Sequence, residues 1–123
     1  MPKNGNYSRN KGIRGELKLR DYLNKFGESV RRGYVFCNES DVVGLQGIHI
    51  ECKNVEALNV RKAMDQAIAE AEKRKDGMPA VFWKKSRKPW LTIMRTEDFM
   101  VLYQMARRGT NDTMPENTGI HEE

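Results

Sequence analysis

Asp41, Glu51 and Lys53 fall within one short stretch of the chain. Between them run Val42-Val43, the glycine-flanked segment Gly44-Leu45-Gln46-Gly47, and Ile48-His49-Ile50-Glu51-Cys52-Lys53. In the last segment the apolar side chains are Ile48, Ile50 and Cys52, so strand alternation sends His49, Glu51 and Lys53 to the opposite face. Two carboxylates at one sheet edge suit a hard divalent cation such as Mg²⁺. Such an ion takes oxygen ligands and commonly completes its shell with substrate phosphate oxygens. A neighbouring lysine would offset the negative charge that develops as a phosphodiester breaks. The plain alternative is a hairpin with charged residues on its wet face.

Register decides between the two. A hairpin turning symmetrically about Leu45-Gln46 sets Asp41 opposite Ile50, and directly opposed residues share a face. Asp41 would then point away from Glu51. A shared cation requires an odd-length connection, or an extra residue bulged near Asp41. Gly44 and Gly47 can adopt the positive φ that an irregular turn demands.

The surrounding elements follow from periodicity. Ile13, Leu17, Leu19, Leu23 and Phe26 form a helical stripe from about Lys11 to Phe26, ending at Gly27. Glu16 and Arg20 project within that stripe, where a carboxylate needs a cation or donor. Either the two pair with each other at i,i+4, or Glu16 points toward the metal centre. Ser29–Phe36, Asp41–Val43 and Ile48–Lys53 read as three strands. Asn59 offers an N-cap to an alanine-rich helix running to about Lys75 and closed by Gly77. Ala80–Trp83 and Trp90–Met94 read as two further strands around the loop Lys84-Lys85-Ser86-Arg87-Lys88-Pro89. Thr96, followed by Glu97 and Asp98, starts a last helix through Arg107. The order α-β-β-β-α-β-β-α implies an α/β fold: a mixed sheet flanked by helices, parallel where the helical crossover joins the third and fourth strands.

An aspartate followed by Glu-x-Lys, at this place in this order of elements, resembles the PD-(D/E)xK nuclease superfamily. Within it the chain is similar to the archaeal-type Holliday junction resolvases. The resemblance spans about residues 8–108 and implies a restriction-endonuclease-like core. It also implies that Asp41, Glu51, the main-chain carbonyl of Cys52, and Glu16 from the first helix bind Mg²⁺, with Mn²⁺ as a substitute. Lys53 would orient the attacking water, so Asp41, Glu51, Lys53 and Glu16 form the implied catalytic set. The family's proline before the aspartate is replaced by Ser40. That proline shapes the strand entry and does no chemistry. His49 reads as a surface residue rather than a general base, and Gln66 as a helix-surface glutamine at the flank of the second helix's stripe.

Charge agrees with a polyanionic partner. The net charge is +5, but residues 109–123 hold Asp112, Glu116, Glu122 and Glu123 and no Lys or Arg, so removing their −4 leaves +9 on residues 1–108. The chain therefore divides into a nuclease domain, 1–108, and a flexible polar, acidic tail, 109–123. Basic residues cluster as Lys3, Arg9, Lys11 and Arg14; as Arg31-Arg32; and as Lys84, Lys85, Arg87 and Lys88. Such groups neutralise DNA phosphates without reading sequence. Trp83 and Trp90 flank the last group but suit a core equally well. Cys37 and Cys52 are too few for a zinc site or a disulfide framework. No run is apolar enough to span a bilayer and the N-terminus has no signal-peptide core, so a reduced, cytoplasmic setting is expected.

The reading that unites these features is a metal-dependent endonuclease acting on branched DNA, most simply a Holliday junction resolvase. Two matched incisions would call for a homodimer, with the apolar last helix (Phe99, Met100, Leu102, Tyr103, Met105) available for its interface. The alternatives are a flap, replication-repair or restriction-type nuclease with the same centre, or a non-catalytic basic DNA-binding protein.

Overall fold

Five strands form one mixed sheet in the order β1-β2-β3-β4-β5. The computed structural model describes residues 5–109; Lys3 and the tail from Thr110 onward lie outside the described residues. The elements are α1 (Gly5–Asn24), β1 (Arg31–Arg32), a single 3₁₀ turn (Val35–Cys37), β2 (Val42–Val43), β3 (Ile48–Asn54), α2 (Val60–Arg74), β4 (Met78–Lys84), β5 (Leu91–Met94) and α3 (Thr96–Gly109). β3 and β4 run parallel, joined by α2, and every other neighbouring pair is antiparallel. This is the expected α/β architecture in the expected order.

Alternation along β3 and β4 divides the interior into two layers. On one face Leu19 of α1 packs with Val30, Val42, Ile50, Ala80 and Phe82, while Leu23, Cys52, Trp90 and Met94 complete the cluster. On the other, Ala63, Met64 and Ala67 of α2 pack on Val81. The small alanines bring α2 close to the sheet. Asn59 caps that helix as expected, its side chain accepting the Lys62 N–H at 3.0 Å.

Three local expectations need correction. The first strand does not run from Ser29 to Phe36: only Arg31–Arg32 pair with β2, and the chain then leaves the sheet through the 3₁₀ turn. The cause is local competition for backbone donors. Glu39 accepts the Tyr34 N–H at 2.9 Å, and the Cys37 N–H turns back to the Tyr34 carbonyl. Gly77 does not close α2; Lys75 does, in the left-handed conformation with φ 54 and its N–H on the Ala71 carbonyl. Gly77 instead lies against the backbone of Gly47, where Met78 N–H donates to the Gly47 carbonyl at 2.8 Å. Finally, α1 begins earlier than expected and reaches back to Gly5.

Among the described residues, no helix is long and apolar enough to cross a membrane.

Candidate active site

The turn between β2 and β3 has the odd-length form that a shared site requires. Val42 stands opposite Ile50, and continuing this register by one residue brings Asp41 opposite Glu51. Gly44, at φ +130, and Gly47, at φ +84, supply the conformations that make the turn. Asp41 itself lies just before β2, and its Oδ2 accepts the main-chain N–H of Cys52 at 2.9 Å. That bond ties the aspartate to β3 beside Glu51 without any side chain intervening.

On the α2 face of β3, His49, Glu51 and Lys53 line up as alternation predicts. Lys53 Nζ is 4.0 Å from Glu51 Oε2 and donates to Gln66 Oε1 of α2 at 3.1 Å. Gln66 therefore reaches the site that a helix-surface reading kept it from. A pocket of ≈ 220 Å³ opens beside Lys53, lined by Asn59, Lys62 and Gln66 among others.

His49 is not a surface residue: it is 0% exposed. Its Nδ1 lies 2.8 and 2.9 Å from the two oxygens of Asp76, just beyond α2. An ionised carboxylate only accepts, so Nδ1 carries the proton. Nε2 lies 3.5 Å from Glu51 Oε1 and has no hydrogen-bond partner. Burial pulls the His49 pKa down, but Glu51 and Asp76 outweigh burial and hold it above its ordinary value. No sequence signal joins His49 to Asp76, because the pair closes across the whole of α2.

Burial, then the charge of Glu51, pushes the Asp41 carboxyl up to about 6, although the Cys52 N–H and Lys53 favour its ionised form. Glu16 adds to the upward push. The Cys52 thiol is raised too, first by burial and then by Asp41, Glu16 and Glu51. It packs against the apolar layer under α1, as expected for a side chain that only fills space.

This crowding of negative charge is what a divalent cation would relieve, and the donor set fits one. Among the described residues no group of three or more His, Cys, Asp and Glu side chains is placed to hold a metal ion. Asp41 and Glu51 are therefore two carboxylates facing across β2 and β3, with no third such side chain placed beside them among the described residues. One or two carboxylates with room for water and phosphate oxygens is the arrangement Mg²⁺ favours.

Glu16 does not take the first of the roles read for it. It does not pair with Arg20, which binds Asp21 at 2.8 Å, but accepts from Arg32 Nε at 2.6 Å. It nonetheless lies within electrostatic reach of Asp41 and Cys52.

The basic groups flank this centre on both sides. Arg31 and Arg32 lie on the strand beyond β2, Arg31 gripping Glu39 through both terminal nitrogens at 2.8 Å. On the other side, Asn54 at the end of β3 is in register with Lys84, where the β4–β5 loop begins. Lys11 and Lys85 both act on Glu56, which Ser86 holds by hydrogen bonds to its carboxylate. Lys11 of α1 and the loop cluster thus meet at one end of the sheet. Lys85, Arg87 and Lys88 are exposed, as are Arg9 and Arg14 on α1, whereas Lys84 is half-buried and donates to the Lys85 carbonyl.

No protein-family model and no curated protein sequence matches the chain. Among solved structures, its fold is similar to that of Hjc, a Holliday junction resolvase of the archaeal hyperthermophile Archaeoglobus fulgidus. The likeness has a TM-score of 0.52 at 24% sequence identity and covers 68% of this chain and 72% of that one. The fold is of the restriction-endonuclease-like kind that the resemblance implied.

Proposed function

We propose that this protein is a metal-dependent endonuclease that cuts phosphodiester bonds in branched DNA, acting as a Holliday junction resolvase. The observation that carries this reading is the β2–β3 register, which brings Asp41 across from Glu51 two residues before Lys53. The similarity to Hjc supports the same reading through the fold.

Asp41 and Glu51, with the main-chain carbonyl of Cys52, would hold Mg²⁺ or Mn²⁺. When bound, the cation polarises the scissile phosphate and lowers the pKa of a water. The remaining work belongs to side chains. Lys53, steered by Gln66 and drawn toward Glu51, orients the water and neutralises charge on the phosphate as it becomes five-coordinate. His49, anchored by Asp76, would draw Glu51 toward it when the ring carries both protons, its Nε2 standing 3.5 Å from Glu51 Oε1. Glu16 joins the acidic centre once Arg32 turns from it to a DNA phosphate. Arg31 and Arg32 on one flank, and Arg9, Lys11, Arg14, Lys84, Lys85, Arg87 and Lys88 on the other, hold the DNA arms, and the charge of Lys3 adds to the attraction.

Paired incisions call for a homodimer, and α3 offers its surface. The only buried residue of α3 is Asp98, held by Arg95 at 2.9 Å, while Phe99, Met100, Val101, Leu102 and Met105 are exposed. A second copy covering this face would remove apolar surface from water.

Incubation of the protein with Mg²⁺ and a synthetic four-way junction, a linear duplex or a flap tests the proposal. Paired nicks in the junction alone are expected, and chelation of the metal should abolish them. Equal cutting of all three substrates would instead indicate a flap, repair or restriction-type nuclease. Binding without metal-dependent cleavage would make the protein a DNA-binding module.

A further inference from the structure

Among the large apolar side chains described, the two most exposed sit together, and the proposed chemistry uses neither. Val35 is 84% and Phe36 86% exposed, at the tip of the loop between β1 and β2, with Tyr34 beside them. Leaving such surface in water is unfavourable.

The tip is built rather than loose. The Tyr34 carbonyl accepts the N–H groups of both Cys37 and Glu39, and Asn38, in the left-handed conformation, returns its N–H to Val35. Glu39 takes the Tyr34 N–H and grips Arg31 from both sides of its fork. That contact holds the Glu39 carboxyl down at about 2. The Arg31 guanidinium lies 4.3 Å from the Tyr34 ring centre, and the Tyr34 ring stacks on Phe36 at 5.4 Å and 20°. Two legs carry this platform. They are pressed so close that a Cβ on Gly33 would collide with the Ser40 carbonyl, and Gly33 N–H donates to the carbonyl of Asp41 at 2.9 Å.

We propose that Tyr34-Val35-Phe36 is a stacking wedge for bases at the branch point of the DNA held in the active site. The inference rests on the nuclease reading and adds to it the element that distinguishes branched from linear DNA. DNA suits the tip for three reasons. The Gly33–Asp41 bond places the aromatic platform and the catalytic carboxylate on one rigid unit. Arg31 and Arg32 stand at its base on a domain with an excess of +9 over residues 1–108. Three side chains also fall far short of the roughly 800 Å² per partner that a stable protein interface buries, whereas one or two aromatic rings suffice for a base. Branched DNA suits it better than linear duplex. Wedging into a continuous stack means unstacking a step, which is unfavourable, while at a branch point the stack is already interrupted.

The test measures DNA binding by the full chain in buffer without divalent cation, so that nothing is cut. The probes are a four-way junction carrying 2-aminopurine at its branch point and a linear duplex of the same sequence. The double variant Val35→Ser/Phe36→Ser should lose roughly ten- to a hundredfold in junction affinity, with linear-duplex affinity unchanged. Its 2-aminopurine response should disappear, and Phe36→Trp should keep both affinity and response. Wild-type junction preference that persists undiminished in the double variant would overturn the wedge while sparing the nuclease reading. A variant altered only in self-association, measured by sedimentation, would overturn it in favour of a contact between copies. Wild type that binds no DNA at all would overturn both readings together.

Discussion

The two faces of β3 come from the same six residues and are stabilised in opposite ways. Toward α1, Ile48, Ile50 and Cys52 join Leu19, Val42 and Phe82 in an apolar layer whose stability grows with the area it removes from water. Toward α2, His49, Glu51 and Lys53 are buried or half-buried among polar neighbours: Asp76, Gln66 and the Asp41 that crosses from β2. Burying polar groups is favourable only where partners are exact, and here negative charge remains in surplus. The α1 face is thus a core that should accept similar apolar side chains, and on the proposed reading the α2 face is a site whose polar groups each have a partner to keep. Stability should be the quantity lost when the first is damaged, and chemistry when the second is.

The largest effects therefore belong to the α2 face. Asp41→Asn, Glu51→Gln and Lys53→Ala should each lower junction cleavage by about 10²–10³-fold or more, with DNA binding largely retained in gel-shift titration. Wild-type turnover in any one of them removes that residue from the mechanism. On the α1 face, Leu19→Ala should leave cleavage by the folded protein near wild type but lower the unfolding free energy by about 2–5 kcal/mol in urea titration. A variant that is stable yet inactive would erase the distinction between the faces.

Asp41 sharpens the comparison through pH. Its folded pKa, about 6, lies above the ordinary 3.8, so the folded state binds this proton more tightly than the unfolded chain does. The stabilisation is complete below about pH 4 and is lost as pH rises through 6. Metal-free wild type should consequently lose up to about 1–3 kcal/mol across that window relative to Asp41→Asn, a value reduced by partial solvent access. Melting curves of both proteins in chelator from pH 4 to 8 give the difference directly. A constant difference across the range would mean that neither burial nor the charge of Glu51 raises the Asp41 pKa in the folded protein.

Much of this contrast is visible in the chain. The period-two pattern from Ile48 to Lys53 separates the two faces, the helical crossover sets β3 parallel to β4, and a shared cation requires either an odd connection after Val43 or a bulge near Asp41. Contacts that close over long separations are not visible. His49 reads as a surface histidine because alternation puts it on the polar face, and nothing local announces that Asp76 and α2 cover it. Glu16 reads either toward Arg20, its neighbour on the helix, or toward the metal centre, and nothing local announces that Arg32 reaches it from the first strand of the sheet. The run Ser29 to Phe36 reads as a strand because the β propensities of Val30 to Phe36 are real, but the carboxylate of Glu39 captures the backbone donor that would have continued the ladder.

Smaller effects probe the flanks. Replacing Lys84, Lys85, Arg87 and Lys88 together should weaken junction binding and lower the slope of log affinity against log salt by about one unit for each lost phosphate contact. An unchanged slope would place the DNA along α1 and Arg31-Arg32 instead. Glu16→Gln, which loses a charge but keeps the helix, should reduce metal-dependent cleavage more than it lowers the melting temperature. The reverse result makes the Glu16–Arg32 pair a structural tie between α1 and the sheet.

The central claim is that Asp41 and Glu51, brought together by the β2–β3 register, share one divalent cation. Calorimetric titration of Mn²⁺ into the wild-type protein, Asp41→Asn and Glu51→Gln tests it without DNA and without turnover. One ion per chain in the wild type is expected, with affinity falling by about tenfold or more in each variant, since either change removes a charged ligand from a two-carboxylate site. Wild-type affinity retained in both variants would show that the two carboxylates hold no common metal, and the nuclease mechanism would have to be abandoned.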